Sequence, residues 1–180
     1  MHEKRFSGGV ERLRSPERIS ILEIDRVVNL LLEGSEIESM LDIGTGSGLF
    51  AEAFAKKNIS VSGIDVSEEM IEAAKKFVPS GNFKKAVAEE LPFQDKSFNA
   101  SFFGVVLHEA DDMLKALKEA RRVSTKRVLI LEWQYKASEF GPPLEHRIKP
   151  EVITKLFKDA GFSDYDKNDL KELALYRLNI

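Results

Sequence analysis

The chain has 180 residues, of which 43% are hydrophobic and 32% charged, an apolar content that can offset the entropy of ordering and so excludes a mainly disordered chain. Lys and Arg total 27 against 30 Asp and Glu, for a net charge of -3, which leaves no whole-protein basic field for gripping nucleic acid. There are no cysteines, so disulfides, thiolate zinc sites and cysteine nucleophiles are excluded together.

Polar residues lead up to Gly9. Ser15-Pro16-Glu17 then reads as a helix start, with a hydroxyl cap, proline at the first helical position and an acid in the first turn. The periodicity of Ile21, Leu22, Ile24, Val27, Val28, Leu31 and Leu32 predicts one helix closed by Gly34. Short apolar runs then alternate with amphipathic ones. Residues 39–43 form a strand, 49–57 a helix and 61–65 a second strand. Ser67 caps a helix running to about Phe77. Residues 83–87 are a weak third strand and 98–106 a fourth, with a helix marked by Met113, Leu114, Leu117 and Ala120. The run 127–131 is almost wholly apolar, as in a sheet buried on both faces. Beyond a loop with Gly141, Pro142 and Pro143, Pro150-Glu151 begins a helix that Gly161 ends. Two closing strands near 162–167 and 172–178 have no helix between them, so they form an antiparallel edge. This alternation predicts an α/β fold with a mostly parallel sheet.

The opening residues contain no apolar core of a secretory leader, and every apolar stretch is too short for a membrane span. The expectation is a cytoplasmic protein forming one domain over 1–180. Residues 1–36 would be a helical cover, 37–135 a ligand-binding core, and 136–180 a loop, helix and strand pair.

The sharpest chemical signal is Leu41-Asp42-Ile43-Gly44-Thr45-Gly46-Ser47-Gly48, between a strand and a helix. Glycines at alternate positions let the chain turn tightly and let a ligand approach the backbone, and amides at a helix start favour anionic groups. Asp65, 21 residues after Gly44, ends the next strand, where a carboxylate accepts from ribose hydroxyls. A dinucleotide fingerprint would place its third glycine at position 49, which is Leu49. Asp42 adds an acid suited to an ammonium group, which a dinucleotide lacks. S-adenosylmethionine carries an ammonium, a ribose and an adenine.

These motifs resemble those of the small S-adenosylmethionine-dependent methyltransferases with a Rossmann-like sheet, especially the ubiquinone/menaquinone-biosynthesis-like group. Residues 41–48 resemble the family's first motif, and Gly63-Ile64-Asp65-Val66-Ser67-Glu68-Glu69-Met70 its second. Ala88-Glu89-Glu90-Leu91-Pro92-Phe93, Ser97-Phe98-Asn99 and Leu107-His108 resemble the third and fourth, and 127–132 the fifth strand. The resemblance implies about seven strands with helices on both faces. It implies that Gly44, Thr45, Gly46 and Gly48 pack against the methionine part, with Asp42 near its ammonium. Asp65 would hold the ribose, Val66 and Met70 would flank the adenine, and Ala88 and Glu89 would meet its edge. Phe103 and Gly104 would close over the sulfonium end. The chain departs from the family pattern in three places: Val87 stands where many relatives carry Asp, Asn99 replaces Asp, and Val123-Ser124-Thr125-Lys126 replaces a proline-glycine turn.

Methyl transfer from a sulfonium needs positioning and desolvation more than a catalytic triad. His108, at the end of the fourth strand and facing the presumed pocket, is the base available to an acceptor that must lose a proton; the alternative is a histidine that lines the pocket. Asp111-Asp112 reads as a helix N-terminus rather than a metal site, and no metal is expected. Lys84-Lys85 and Arg121-Arg122 read as solvated charge. Trp133, Tyr135 and His146 are candidates to line an acceptor pocket. The reading is a methyltransferase acting on a small-molecule acceptor, with no nucleic-acid partner. A catalytically silent S-adenosylmethionine-binding protein and a nucleotide-dependent oxidoreductase are its alternatives. The N-terminal segment, including Phe6 and Arg18, and the Pro142-Pro143 loop are expected to cover the acceptor pocket.

Overall fold

Residues 40–43 are buried on both sides of their strand, which requires a sheet covered on both faces. The computed structural model describes residues 9–180 and builds that sheet from seven strands. These are β1 (Ser39–Ile43), β2 (Ser60–Asp65), β3 (Asn82–Lys85), β4 (Phe98–Gly104), β5 (Ser124–Trp133), β6 (Tyr165–Asp169) and β7 (Leu173–Asn179), in the order β3-β2-β1-β4-β5-β7-β6. Strands β1 to β5 are mutually parallel, whereas β7 runs antiparallel to both β5 and β6. The chain winds outward from β1 in one direction, then restarts at β4 and winds in the other. That reversal leaves a crevice at the carboxyl ends of β1 and β4, where open α/β sheets bind ligands.

Helices α1 (Val10–Leu13), α2 (Pro16–Leu22), α3 (Ile24–Leu32), α4 (Leu49–Ala55), α5 (Glu68–Phe77), α6 (Met113–Val123) and α7 (Pro150–Asp159) complete the fold. On one face, α3, α4 and α5 bury Val28, Leu31, Phe50, Phe54 and Ile71 against the sheet. Phe50 and Phe54 meet the Phe102 ring edge-on, with centroids 4.8 and 5.3 Å away. The other face takes Ala116, Leu117 and Ala120 of α6 with Ile153 and Phe157 of α7. Among the described residues, no helix is long and apolar enough to cross a membrane.

The expected boundaries of β1 and α5 match, and Ser67 caps α5 by accepting from the Met70 amide. Elsewhere the structure corrects the reading. The single helix expected from Ser15 to Gly34 is two, broken at Glu23, which adopts a left-handed conformation with φ 47°. The Glu23 carboxylate holds this corner by accepting from the Lys171 amide and pairing with Arg26. A short α1 precedes them, where no element was expected. Strand β3 stops at Lys85, and β4 stops at Gly104 rather than at Val106. Strand β5 begins at Ser124, directly after α6, and is pinned there by a buried Ser124–Ser101 hydroxyl contact of 2.6 Å. Arg122 is not simply solvated: it pairs with Glu119 and Asp95 and donates to the Leu91 and Phe93 carbonyls. The segment preceding Gly9, and Phe6 with it, lies outside the described residues.

Candidate functional site

The carboxyl end of β1 delivers the chain into the glycine loop. Gly44 and Gly46 both have positive φ, 69° and 52°, a conformation costly for other residues. A Cβ on Gly44 would lie 2.6 Å from a Val106 methyl, and one on Gly46 would lie 3.1 Å from Leu13. The loop is tied inward: the Thr45 amide donates to the Ile64 carbonyl at 2.8 Å, and the Thr45 hydroxyl donates to Asp42 at 2.8 Å. Burial pushes the Asp42 carboxyl up to about 7, against the pull of the Thr45 hydroxyl. A cation placed beside Asp42 would favour its charged form.

Asp65 ends β2 across the crevice. Its two oxygens accept from the Gly46 and Ser67 amides, each at 2.9 Å. Burial raises its pKa, while those amides and that of Val66 oppose the rise. Each carboxylate oxygen keeps further acceptor capacity for a ligand hydroxyl.

A cavity of about 300 Å³ opens over this loop, and its walls include Gly44, Gly46, Asp65, Val66, Met70, Ala88, Glu89, Phe103 and Gly104. Asp42 and Thr45 stand slightly deeper, in a side pocket of about 50 Å³ that shares Gly44, Gly46 and Gly104 with the larger one. Gly48 lines neither. It caps α4, and a Cβ there would lie 3.1 Å from Ala74 of α5, so this glycine serves helix packing. Glu89 reaches the wall while accepting from the Asp111 and Asp112 amides at 2.8 and 3.1 Å. Asp112 in turn caps α6 by accepting from the Lys115 amide. Asn99 is structural, accepting from the Glu38 and Ser39 amides.

The N-terminal helices lie across this crevice. Leu13 and Arg18 line both the main cavity and the side pocket. Arg14 fastens them, donating to the Ser47 carbonyl at 3.2 Å and to Glu52 at 2.9 Å, with its guanidinium 3.3 Å from the Phe77 ring centre. Among the described residues, the buried Ser47 hydroxyl and Arg14 Nε have no hydrogen-bond partner. Nothing in the local sequence marked Leu13, Arg14 or the cofactor-side placement of Arg18. They reach the site only through the fold of α1 and α2.

His108 is not on β4. The strand ends at Gly104, Val105 turns the chain with φ 62°, and a 3₁₀ turn, Leu107–Glu109, carries the histidine. Positive φ at a β-branched residue is strained by about 1–3 kcal/mol. His108 therefore faces a second cavity, of about 440 Å³, whose walls also hold Trp133, Phe140, Pro142, Pro143 and His146. Tyr135 is outside this cavity and exposed. Arg18, Val105 and Glu109 line both large cavities and form their common wall. Arg147 secures the proline loop from beneath, donating to the carbonyls of Gln134, Lys136, Phe140 and Pro142.

Residues 41–131 match the family model described as "Methyltransferase domain". A demethylmenaquinone methyltransferase of Thermotoga maritima is 37% identical over 111 residues, 59% of this chain and 48% of that protein. The uncharacterized methyltransferase YcgJ of Bacillus subtilis is 37% identical over 130 residues, 68% of this chain and 50% of its own length. The chain thus spans about half the length of these curated relatives. Among solved structures, a SAM dependent methyltransferase from Aquifex aeolicus superposes with a TM-score of 0.81 at 25% identity, covering 94% of this chain and 96% of the other.

Proposed function

The chain belongs to the methyltransferase-domain family, and from that premise we propose that it is an S-adenosylmethionine-dependent methyltransferase acting on a small-molecule acceptor. The demethylmenaquinone named for its relatives suggests a quinone-like ring as the acceptor class. One observation carries the reading: the glycine-loop cavity and the His108 cavity share a wall at Arg18, Val105 and Glu109. A donor in the first and an acceptor in the second would meet at that wall.

The residues of the first cavity fit S-adenosylmethionine. Asp65 would take the ribose hydroxyls, and Val66 and Met70 would flank the adenine, with Ala88 and Glu89 at its edge. The buried Asp42 carboxylate suits the ammonium, and the Arg18 guanidinium beside the same pocket suits the carboxylate. The open cradle over Gly44 and Gly46 admits the methionine chain, and Phe103 and Gly104 stand by the sulfonium end. When bound, this group supplies an activated methyl on a sulfonium. The protein's own part is then to align the acceptor, exclude water and accept a proton where the acceptor must lose one. His108 is the base at the second cavity. A screen of small-molecule acceptors, quinol-like rings among them, is expected to release S-adenosylhomocysteine. Tight cofactor binding without release from any acceptor would instead leave a silent binder.

Asp65→Ala is expected to weaken S-adenosylhomocysteine binding by about 1.5–3 kcal/mol, the range for hydrogen bonds to a charged acceptor. Titration calorimetry on the folded variant measures this, and unchanged affinity would remove Asp65 from the site.

The N-terminal helices and the Pro142-Pro143 loop form a movable cover in this proposal. Arg147 restrains the loop through four hydrogen bonds and Arg14 holds α1 and α2 through two, so the helices supply most of the motion. Amide exchange in residues 9–18 is expected to slow markedly when S-adenosylhomocysteine binds, with a smaller effect in 136–149. Equal exchange with and without ligand would make both segments fixed walls.

A further inference from the structure

His108 and Glu132 are both buried, at 6% and 2% exposure. Glu132 lies on β5, one residue beyond Leu131, which pairs with the last residue of β4. Its side chain therefore rises beneath the 3₁₀ turn that carries the histidine. The two Glu132 oxygens lie 3.0 and 2.9 Å from His108 Nδ1. They also accept from the His108 and Trp133 amides, at 3.1 and 3.2 Å. An ionised carboxylate has no proton to donate, so Nδ1 must carry the hydrogen in this contact. The neutral ring is thereby held with its lone pair on Nε2.

We infer that Glu132 is a positioning residue for the reaction, one that fixes the tautomer and orientation of His108 so that Nε2 receives the acceptor's proton. This rests on the reading of His108 as the base. The His108 and Trp133 amides each meet a different Glu132 oxygen, so a carboxylate serves both amides and Nδ1 together, whereas a glutamine would turn its NH2 toward one of these donors. Burying a charge there is costly unless the charge itself is used or compensated. The surroundings of the ring are consistent with that use. Burial lowers the histidine's pKa, but the Glu132 charge and hydrogen bond, with Glu109 on the same turn, outweigh burial and the opposing Arg18 of α2, and the net direction is upward. Glu109 approaches Nε2 at 3.9 Å. Arg12, Glu17, Glu139 and His146 complete the charged and titratable lining of the cavity.

The sign follows from base catalysis. Turnover rises with pH as His108 loses its proton, on a limb set by a raised pKa. Glu132→Gln removes the charge that raises it, so the limb should move to lower pH by about one unit or more. The limiting rate should fall at least roughly tenfold, because a glutamine can present an amide hydrogen to Nδ1 and favour the wrong tautomer. Affinity for S-adenosylhomocysteine should stay unchanged. Nitrogen-15 NMR of the labelled full chain reads the same coupling without turnover. The wild-type ring should be protonated at Nδ1 above its pKa, and its titration midpoint should fall in Glu132→Gln. An unmoved limb and an unmoved midpoint would reduce Glu132 to a cap for two amides. A wild-type ring protonated at Nε2 would overturn the inference even if the variant did not fold. Should no acceptor be methylated, the NMR result still decides the His108–Glu132 coupling, and only the assignment of His108 as base fails.

Discussion

His108→Ala is expected to lower turnover by roughly 10²–10⁴-fold, the usual contribution of a positioned general base, while S-adenosylhomocysteine affinity changes little. The separation follows from placement. His108 lines the second cavity and not the one over the glycine loop. Removing the ring also strips Glu132 of its side-chain partner, and a buried carboxylate left so costs a few kcal/mol. Thermal unfolding must therefore accompany the kinetics. His108→Gln supplies Glu132 with a donor again and should recover stability without recovering rate. A loss below about tenfold in a folded variant would return His108 to a lining role.

Gly46→Val should abolish measurable binding of S-adenosylhomocysteine. Two costs combine at this residue. Its φ of 52° is strained for a β-branched side chain by about 1–3 kcal/mol. The new side chain would also press on Leu13, 3.1 Å from the first added carbon, and occupy the walls of both the main cavity and its side pocket. Leu13 is a flexible side chain on a short helix and can yield, so the fold should survive. Gly44→Val is a poorer probe, because its Cβ would strike Val106 at 2.6 Å and damage packing as well as binding. Normal ligand affinity in Gly46→Val would end the glycine-loop reading.

What could be read beforehand divides along the range of the forces involved. Strand β1 and helix α5 were legible because their signals are local: a short apolar run with polar flanks, and a serine cap followed by two acids. The glycine loop and Asp65 were legible for the same reason, since strand, turn, helix and the next strand end all lie within one stretch of chain. Val105 and Val106 read as strand from their side chains, yet the hydrogen bond from the Val105 amide to Leu131 is made by a residue of positive φ that ends β4. Glu23 gave no sign of a break, because the force that fixes it comes from Lys171, distant in sequence. Gly48 looked like its loop partners, and only the approach of Ala74 shows that helix packing needs it. Arg18 and Glu132 were the hardest. An arginine on an amphipathic helix and a glutamate at a strand end have no pattern of their own, and their roles arise from what the finished fold brings beside them.

In this proposal the cavity over Gly44 and Gly46 is built for a sulfonium nucleoside of the S-adenosylmethionine type. Titration calorimetry with S-adenosylmethionine, S-adenosylhomocysteine and NAD, run on the same protein and repeated with Asp65→Ala, tests it most directly. Single-site binding of the first two, weakened by the substitution, and no heat from NAD are expected. Binding of NAD with silence from both sulfur ligands would contradict the proposal.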